Sequence, residues 1–132
     1  MGLAARPLLL DTQTAYWIAF NADELGRQAR RLIESASLPR VSVLSIFELQ
    51  DKQAKGRLPE VDITEGFQSA GFVVEPLILD DIHHVDRFSL ISSHDPFDRL
   101  IQGQAARLNA NFLTSDRKIL AQGFDWIIDS FL

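Results

Sequence analysis

The sequence predicts an α/β domain of three layers, α/β/α, around a central and mainly parallel sheet. Three observations predict it. Short, solidly apolar segments recur along the chain, Leu8–Leu10, Val41–Leu44 and Phe72–Val74 among them, as expected of parallel strands buried on both faces. Helix-length segments stand between them, and strand–helix alternation through a whole chain gives a parallel sheet with helices on both sides. The 132 residues carry neither repeat nor linker and fit one domain on a scale of roughly 150 residues per domain. A single domain over residues 1–132 is therefore expected, with residues 1–6 as a loose N-terminal tail.

Each element has a local cause. Leu8–Leu10 is the first strand, ended by Asp11-Thr12, and Thr14–Phe20 is a short helix. Asn21-Ala22-Asp23 breaks it. Leu25, Ala29, Leu32, Ile33 and Ala36 then share one helical face until Pro39. Val41–Leu44 is the second strand. Ser45-Ile46-Phe47-Glu48 reads as a capping box that opens a helix to about Lys55, where Gly56 supplies a left-handed cap. Pro59 prevents continuation. Asp62 or Thr64 opens a helix over Ile63–Ala70, and Phe72–Val74 is a strand stopped by Pro76.

Leu79–Leu90 reads as a helix with Ile82, Val85 and Leu90 inward. Asp95-Pro96-Phe97-Asp98 places Asp at a cap, Pro at the first helical position and Asp in the first turn. That helix runs to Asn109. Gly103 inside it costs roughly 1 kcal/mol against alanine, which points to close packing, as at a subunit contact. Asn111–Thr114 is a strand, Ser115-Asp116 opens a helix to Gln122 capped by Gly123, and Phe124–Ile128 is the last strand, with Trp126 packing.

Composition excludes several functions. The chain is 46% hydrophobic and 23% charged, as in ordinary globular proteins. Without cysteine it has no disulfide framework, thiolate metal site or cysteine nucleophile. Thirteen basic against 18 acidic side chains give a net charge of −5, which excludes nucleic-acid binding by bulk positive charge alone. No apolar run approaches the roughly 18 residues that span a bilayer, and Leu8–Leu10 is too short for the core of a signal peptide. A cytoplasmic protein with no membrane contact is expected. His83, His84 and His94 lack ligand spacing and read as surface residues, and no glycine-rich phosphate loop is present.

Four acids stand at related places. Asp11 and Asp116 each follow a strand, Glu48 lies in the first turn of the helix after Val41–Leu44, and Asp98 lies in the first turn of the helix that Asp95 opens. Taken singly, each reads as a helix cap worth about 1 kcal/mol. Taken together they read differently, because the carboxyl ends of all strands in a parallel sheet lie on one edge, and ligands bind there where strand order reverses. Two carboxylates about 5 Å apart repel by roughly 3 kcal/mol at an effective dielectric near 20. A cluster of four needs a cation or raised pKa values. Hard oxygen donors suit Mg²⁺ or Mn²⁺ rather than zinc, and such ions promote phosphodiester displacement. Two divalent ions would offset four of the five net negative charges.

Four segments carry a resemblance: Leu8-Leu9-Leu10-Asp11-Thr12; Val41-Ser42-Val43-Leu44-Ser45-Ile46-Phe47-Glu48 with Lys55-Gly56-Arg57-Leu58-Pro59; His94-Asp95-Pro96-Phe97-Asp98-Arg99-Leu100-Ile101; and Leu113-Thr114-Ser115-Asp116-Arg117. In this order they resemble the PIN-domain ribonuclease toxins of the VapC type, from toxin–antitoxin pairs, over nearly the whole chain. The resemblance implies a PIN-like fold and a Mg²⁺- or Mn²⁺-dependent endoribonuclease, silenced by a cognate antitoxin and assembled as a homodimer. It carries the acidic site over to Asp11, Glu48, Asp98 and Asp116. Asp11 and Asp98 hold the principal ion, Asp116 binds it directly or through water, and Glu48 orients or activates the attacking water. Thr12 and Thr114 are placed to bond ligand carboxylates or phosphate. Asp95 reads as a structural cap ahead of a fifth ligand.

Around these acids, Arg99 and Arg117 are assigned to RNA or to salt bridges, and Arg107 and Lys118 equally to RNA or to solvated helix faces. Tyr16 and Trp17 read as core packing or an antitoxin contact ahead of base stacking. Two other functions compete: a PIN-fold binding module without turnover, and a housekeeping RNA-processing nuclease.

Overall fold

The computed structural model describes residues 6–20, 26–35, 38–85 and 96–131. The elements run β1 (Leu8–Leu10), α1 (Thr12–Phe20), α2 (Arg27–Ser35), β2 (Pro39–Ser42), α3 (Val43–Ala54), α4 (Ile63–Ser69), β3 (Val73–Glu75), α5 (Leu79–His84), α6 (Pro96–Leu108), β4 (Asn111–Thr114), α7 (Arg117–Leu120) and β5 (Ile127–Asp129). Five strands form one sheet in the order β3-β2-β1-β4-β5, and all four pairings are parallel.

The three leucines of β1 explain the layering. Alternate side chains of a strand face opposite sides of its sheet, and all three are buried. Leu8 and Leu10 enter one core with Ala15 of α1, Ile46 and Leu49 of α3, and Ile63 and Phe67 of α4. Leu9 enters a second core with Ile101 and Ala105 of α6, Phe112 of β4 and Ile119 of α7. The sheet is thus covered on both faces, as the apolar strands predict. Full burial contributes roughly 1.5–3 kcal/mol per leucine.

Strand order reverses at β1. The chain steps outward from β1 through β2 to β3, then crosses back to lay β4 on the other flank of β1. Register puts Leu10 opposite both Val41 and Leu113. Beyond it, Asp11 donates its backbone N–H to the Leu113 carbonyl at 3.0 Å. The reversal therefore opens between the ends of β1 and β4.

Several boundaries correct the sequence expectations. β2 ends at Ser42, and α3 starts at Val43 rather than at a Ser45 capping box. The reason is that the Ser42 side chain accepts the Leu44 N–H at 3.0 Å and caps the helix a turn earlier. Asp62, not Thr64, caps α4 through the Glu65 N–H. β3 and β5 are each displaced toward the C-terminus, to Val73–Glu75 and Ile127–Asp129, so Trp126 precedes β5 and stacks on Phe124. The described part of the Leu79–Leu90 helix is α5. Its Ile82 is 50% exposed rather than inward, and Val85 is half-buried.

The inward residue of α5 is Asp81, which is fully buried. Arg107 on α6 donates to both Asp81 oxygens, reaches Glu75 Oε2 at 3.1 Å, and so joins β3, α5 and α6. Arg40 meets the other Glu75 oxygen at 3.1 Å. The bond to Asp81 pushes the Arg107 pKa up, more than burial lowers it, and holds the guanidinium charged. Gly103 packs here, within the chain: a Cβ would stand 2.5 Å from the Asp81 carbonyl oxygen.

Residues 1–5 of the expected tail, the Asn21-Ala22-Asp23 break, Leu25, Ala36, Leu90, His94 and the Asp95 cap lie outside the described residues. Arg6 donates to the Asn109 carbonyl and side chain. No helix among the described residues is long and apolar enough to cross a membrane.

Candidate active site

Asp11 is the first residue past β1, and the fold holds its carboxylate from two sides. Oδ1 accepts the Thr14 N–H at 2.8 Å, which caps α1. Oδ2 takes the hydroxyl of Thr114, the last residue of β4. Thr114 Oγ1 in turn accepts the Asp116 N–H at 3.0 Å. Asp116 caps α7 by accepting from Lys118 N at 2.8 Å and Ile119 N at 3.2 Å. One hydroxyl thereby ties the two strand-end acids together across the switch point.

Glu48 and Asp98 arrive on helices. With α3 capped by Ser42, Glu48 lies in the second turn and does not complete a box with Ser45. Thr12 donates to Glu48 Oε1 at 3.3 Å and shares a 2.7 Å hydroxyl contact with Ser45. Asp98 lies in the first turn of α6, and the buried Gln102 reaches its carbonyl at 3.5 Å. Gln102 also accepts from Gln122 at 2.8 Å, beyond the end of α7, so the segments bearing Asp98 and Asp116 are braced to each other.

Asp11, Glu48, Asp98 and Asp116 all line one cavity of about 470 Å³. The cap reading is correct for Asp11 and Asp116, and both face the cavity while capping. Lys52 also lines it; the sequence reading missed this residue, although Glu48 and Lys52 stand four apart on one helix face. Thr12 is on the wall, while Thr114 acts through Asp11 and Asp116. The other cations lie elsewhere. Arg117 pairs with Asp129 at 2.7 Å, Arg107 is committed to Asp81 and Glu75, and the half-buried Arg99, next to Asp98 in the chain, does not line the cavity.

Burial raises the Asp11 pKa above its ordinary 3.8, and the bonds from Thr114 and Thr14 only partly oppose this. A raised folded-state pKa stabilises the fold below the unfolded pKa, and that contribution is lost as pH rises through the folded value. Asp11→Asn should therefore gain stability relative to wild type as pH climbs from below 4 to neutrality. Melting temperatures across that range check this; a difference that does not change with pH contradicts it.

The donors fit a hard divalent cation by their chemistry: four carboxylates and a threonine hydroxyl around one cavity. An ion there would also offset the cost of the partly buried Asp11 anion. Among the described residues, no three His, Asp or Glu side chains form a ready-made metal-binding group, so the fit is one of donor type and shared cavity.

A family model described as PIN domain matches residues 8–124, a span that includes all four acids. No curated protein sequence matches. Among solved structures, a toxin–antitoxin complex from Klebsiella pneumoniae is similar at a TM-score of 0.61 and 14% identity, covering 92% of this chain and 95% of that one. VapBC2 from Rickettsia felis, bound to a DNA fragment from their promoter, is similar at 0.61 and 16%, covering 92% and 96%. A Pyrobaculum aerophilum protein is similar at 0.61 and 20%, covering 97% and 85%. At these identities the likeness is one of fold.

Proposed function

The chain belongs to the PIN domain family, and from that premise we propose that it is a divalent-metal-dependent endoribonuclease of the VapC type, the toxin of a toxin–antitoxin pair. The observation that carries this reading is the single cavity that four acids from separate elements line at the strand-order reversal. The similarity to toxin–antitoxin complexes from Klebsiella pneumoniae and Rickettsia felis supports the toxin role.

In this reading Asp11 and Asp98 hold Mg²⁺ or Mn²⁺, and Asp116 joins them directly or through water. When bound, the ion lowers the pKa of water and offsets charge on the phosphate. Glu48 orients the attacking water and accepts its proton, and the Thr12 hydroxyl fixes the Glu48 carboxylate. Thr114 holds Asp11 and Asp116 in mutual register. Water adds to phosphorus, the bond to the leaving ribose oxygen breaks, and that oxygen takes a proton from solvent water while Glu48 returns its own to solvent. A cognate antitoxin covers the groove, and the toxin acts as a homodimer in the cytoplasm. Arg99 and Arg117 serve RNA binding or structural pairing beside the site.

The test is incubation of the purified chain with total bacterial RNA. New RNA ends in Mn²⁺, and none with a chelator, support the reading. RNA left intact in both overturns it.

A further inference from the structure

We propose that Phe47 and Phe97 are positioning residues, whose ring contact sets the distance between Glu48 and Asp98. This rests on the nuclease reading above and concerns how that same site is held in working geometry.

Each ring stands one residue before an acid of the cavity, Phe47 before Glu48 and Phe97 before Asp98. The rings meet edge to face, with centres 5.8 Å apart and planes at 80°, which is a favourable arrangement for an aromatic pair. The contact crosses between layers. The buried apolar residues of α3, Ile46 and Leu49, belong to one core, and those of α6, Ile101 and Ala105, belong to the other. Phe47 is 55% exposed, and among the described residues neither ring joins either core. Core packing therefore does not account for this pair, whereas a bridge from α3 to α6 does.

The bridge completes a circuit around the cavity. Thr12, next to Asp11, bonds Glu48. Thr114 bonds Asp11 and receives the Asp116 N–H. Gln122, just past the helix that Asp116 caps, bonds Gln102, which reaches the Asp98 carbonyl. These links join Glu48 to Asp11, Asp11 to Asp116, and Asp116 to Asp98. The remaining side, from Asp98 back to Glu48, is spanned by the two rings. Spacing on that side bears directly on rate, because Asp98 holds the ion and Glu48 the attacking water. A misplacement of about 1 Å can cost on the order of 100-fold.

The test follows cleavage of total bacterial RNA by the full chain at saturating Mn²⁺, over a range of RNA concentrations, with Mn²⁺ binding measured by calorimetry. Phe47→Leu should lower the maximal rate roughly tenfold, the low end for groups that orient metal-site ligands. The RNA concentration at half-maximal rate should stay the same, since no ground-state contact to RNA is lost. Phe47→Tyr, which keeps the ring, should restore most of the rate. Phe97→Leu should slow cleavage by a similar factor, and the double variant should be no slower than the slower single one, because both substitutions break one contact. Mn²⁺ should bind Phe47→Leu as it binds wild type and Phe97→Leu more weakly, since Phe97 adjoins the acid that holds the ion. Wild-type rates in both single variants, or losses that multiply in the double variant, overturn the proposal, as does a Phe47→Leu chain that loses only antitoxin binding. If the half-buried Phe97→Leu fails to fold, the exposed Phe47→Leu set against Phe47→Tyr carries the test. Cleavage by wild type separates the two readings: with unaffected variants it sinks only this proposal, and RNA left intact by wild type removes both.

Discussion

Asp98→Asn should reduce Mn²⁺-dependent RNA cleavage by at least about 100-fold while leaving the fold intact. Groups that merely orient metal ligands are worth 10- to 100-fold when removed, so a carboxylate that itself holds the ion should cost at least the upper end of that range. The structural cost is small. Asp98 sits in the first turn of α6, where loss of its charge forfeits roughly 0.3–1 kcal/mol of helix-dipole stabilisation. Relief of repulsion from the other three acids acts in the opposite direction. The check is a cleavage assay beside a melting curve. Cleavage at the wild-type rate in a folded variant removes Asp98 from the site.

Arg107→Ala should produce the largest loss of stability. The guanidinium bonds Asp81, which is fully buried, and Glu75, which is 6% exposed. Removing it leaves two buried carboxylates without their main cation, and breaking such a pair costs about 3–5 kcal/mol. For a chain of this size that is a fall in melting temperature of order 10 °C or more. Arg107→Met should fare little better, because it restores packing but not charge. The bridge also clamps α5 onto α6 at Gly103, where no side chain fits, so α5 should lose hydrogen-exchange protection first. A variant that melts within a degree or two of wild type shows that the network contributes little.

The sequence made the layering legible because β1 is apolar on both faces, and only a sheet covered on both sides buries Leu8, Leu9 and Leu10 together. The convergence of Asp11 and Asp116 on one cavity was legible because strand ends in a parallel sheet share an edge. The start of α3 was not. Ser42 and Ser45 both suit a cap, and the choice depends on where β2 stops pairing with β1 and β3. Arg107 read equally as a solvated cation because its partners are 26 and 32 positions away. Ile82 read as inward because apolarity usually decides a helix face. Here the ion pair turns Asp81 inward and leaves Ile82 in water. Trp17 read as core packing or an antitoxin contact; among the described residues it lies in neither core and lines the cavity.

The most direct test of the central claim, that four acids share a divalent-cation site, is thermal melting in rising Mn²⁺ of wild type and of the Asp11→Asn/Asp98→Asn double variant. A ligand that binds only the folded state adds about 2.7 kcal/mol of stability at a hundred times its dissociation constant. Wild type should therefore melt at steadily higher temperature as Mn²⁺ increases. The double variant should not respond, and without metal it should melt at or above wild type because repulsion is relieved. A wild type indifferent to Mn²⁺, or a double variant that responds equally, contradicts the claim and leaves Asp11 and Asp116 as helix caps alone.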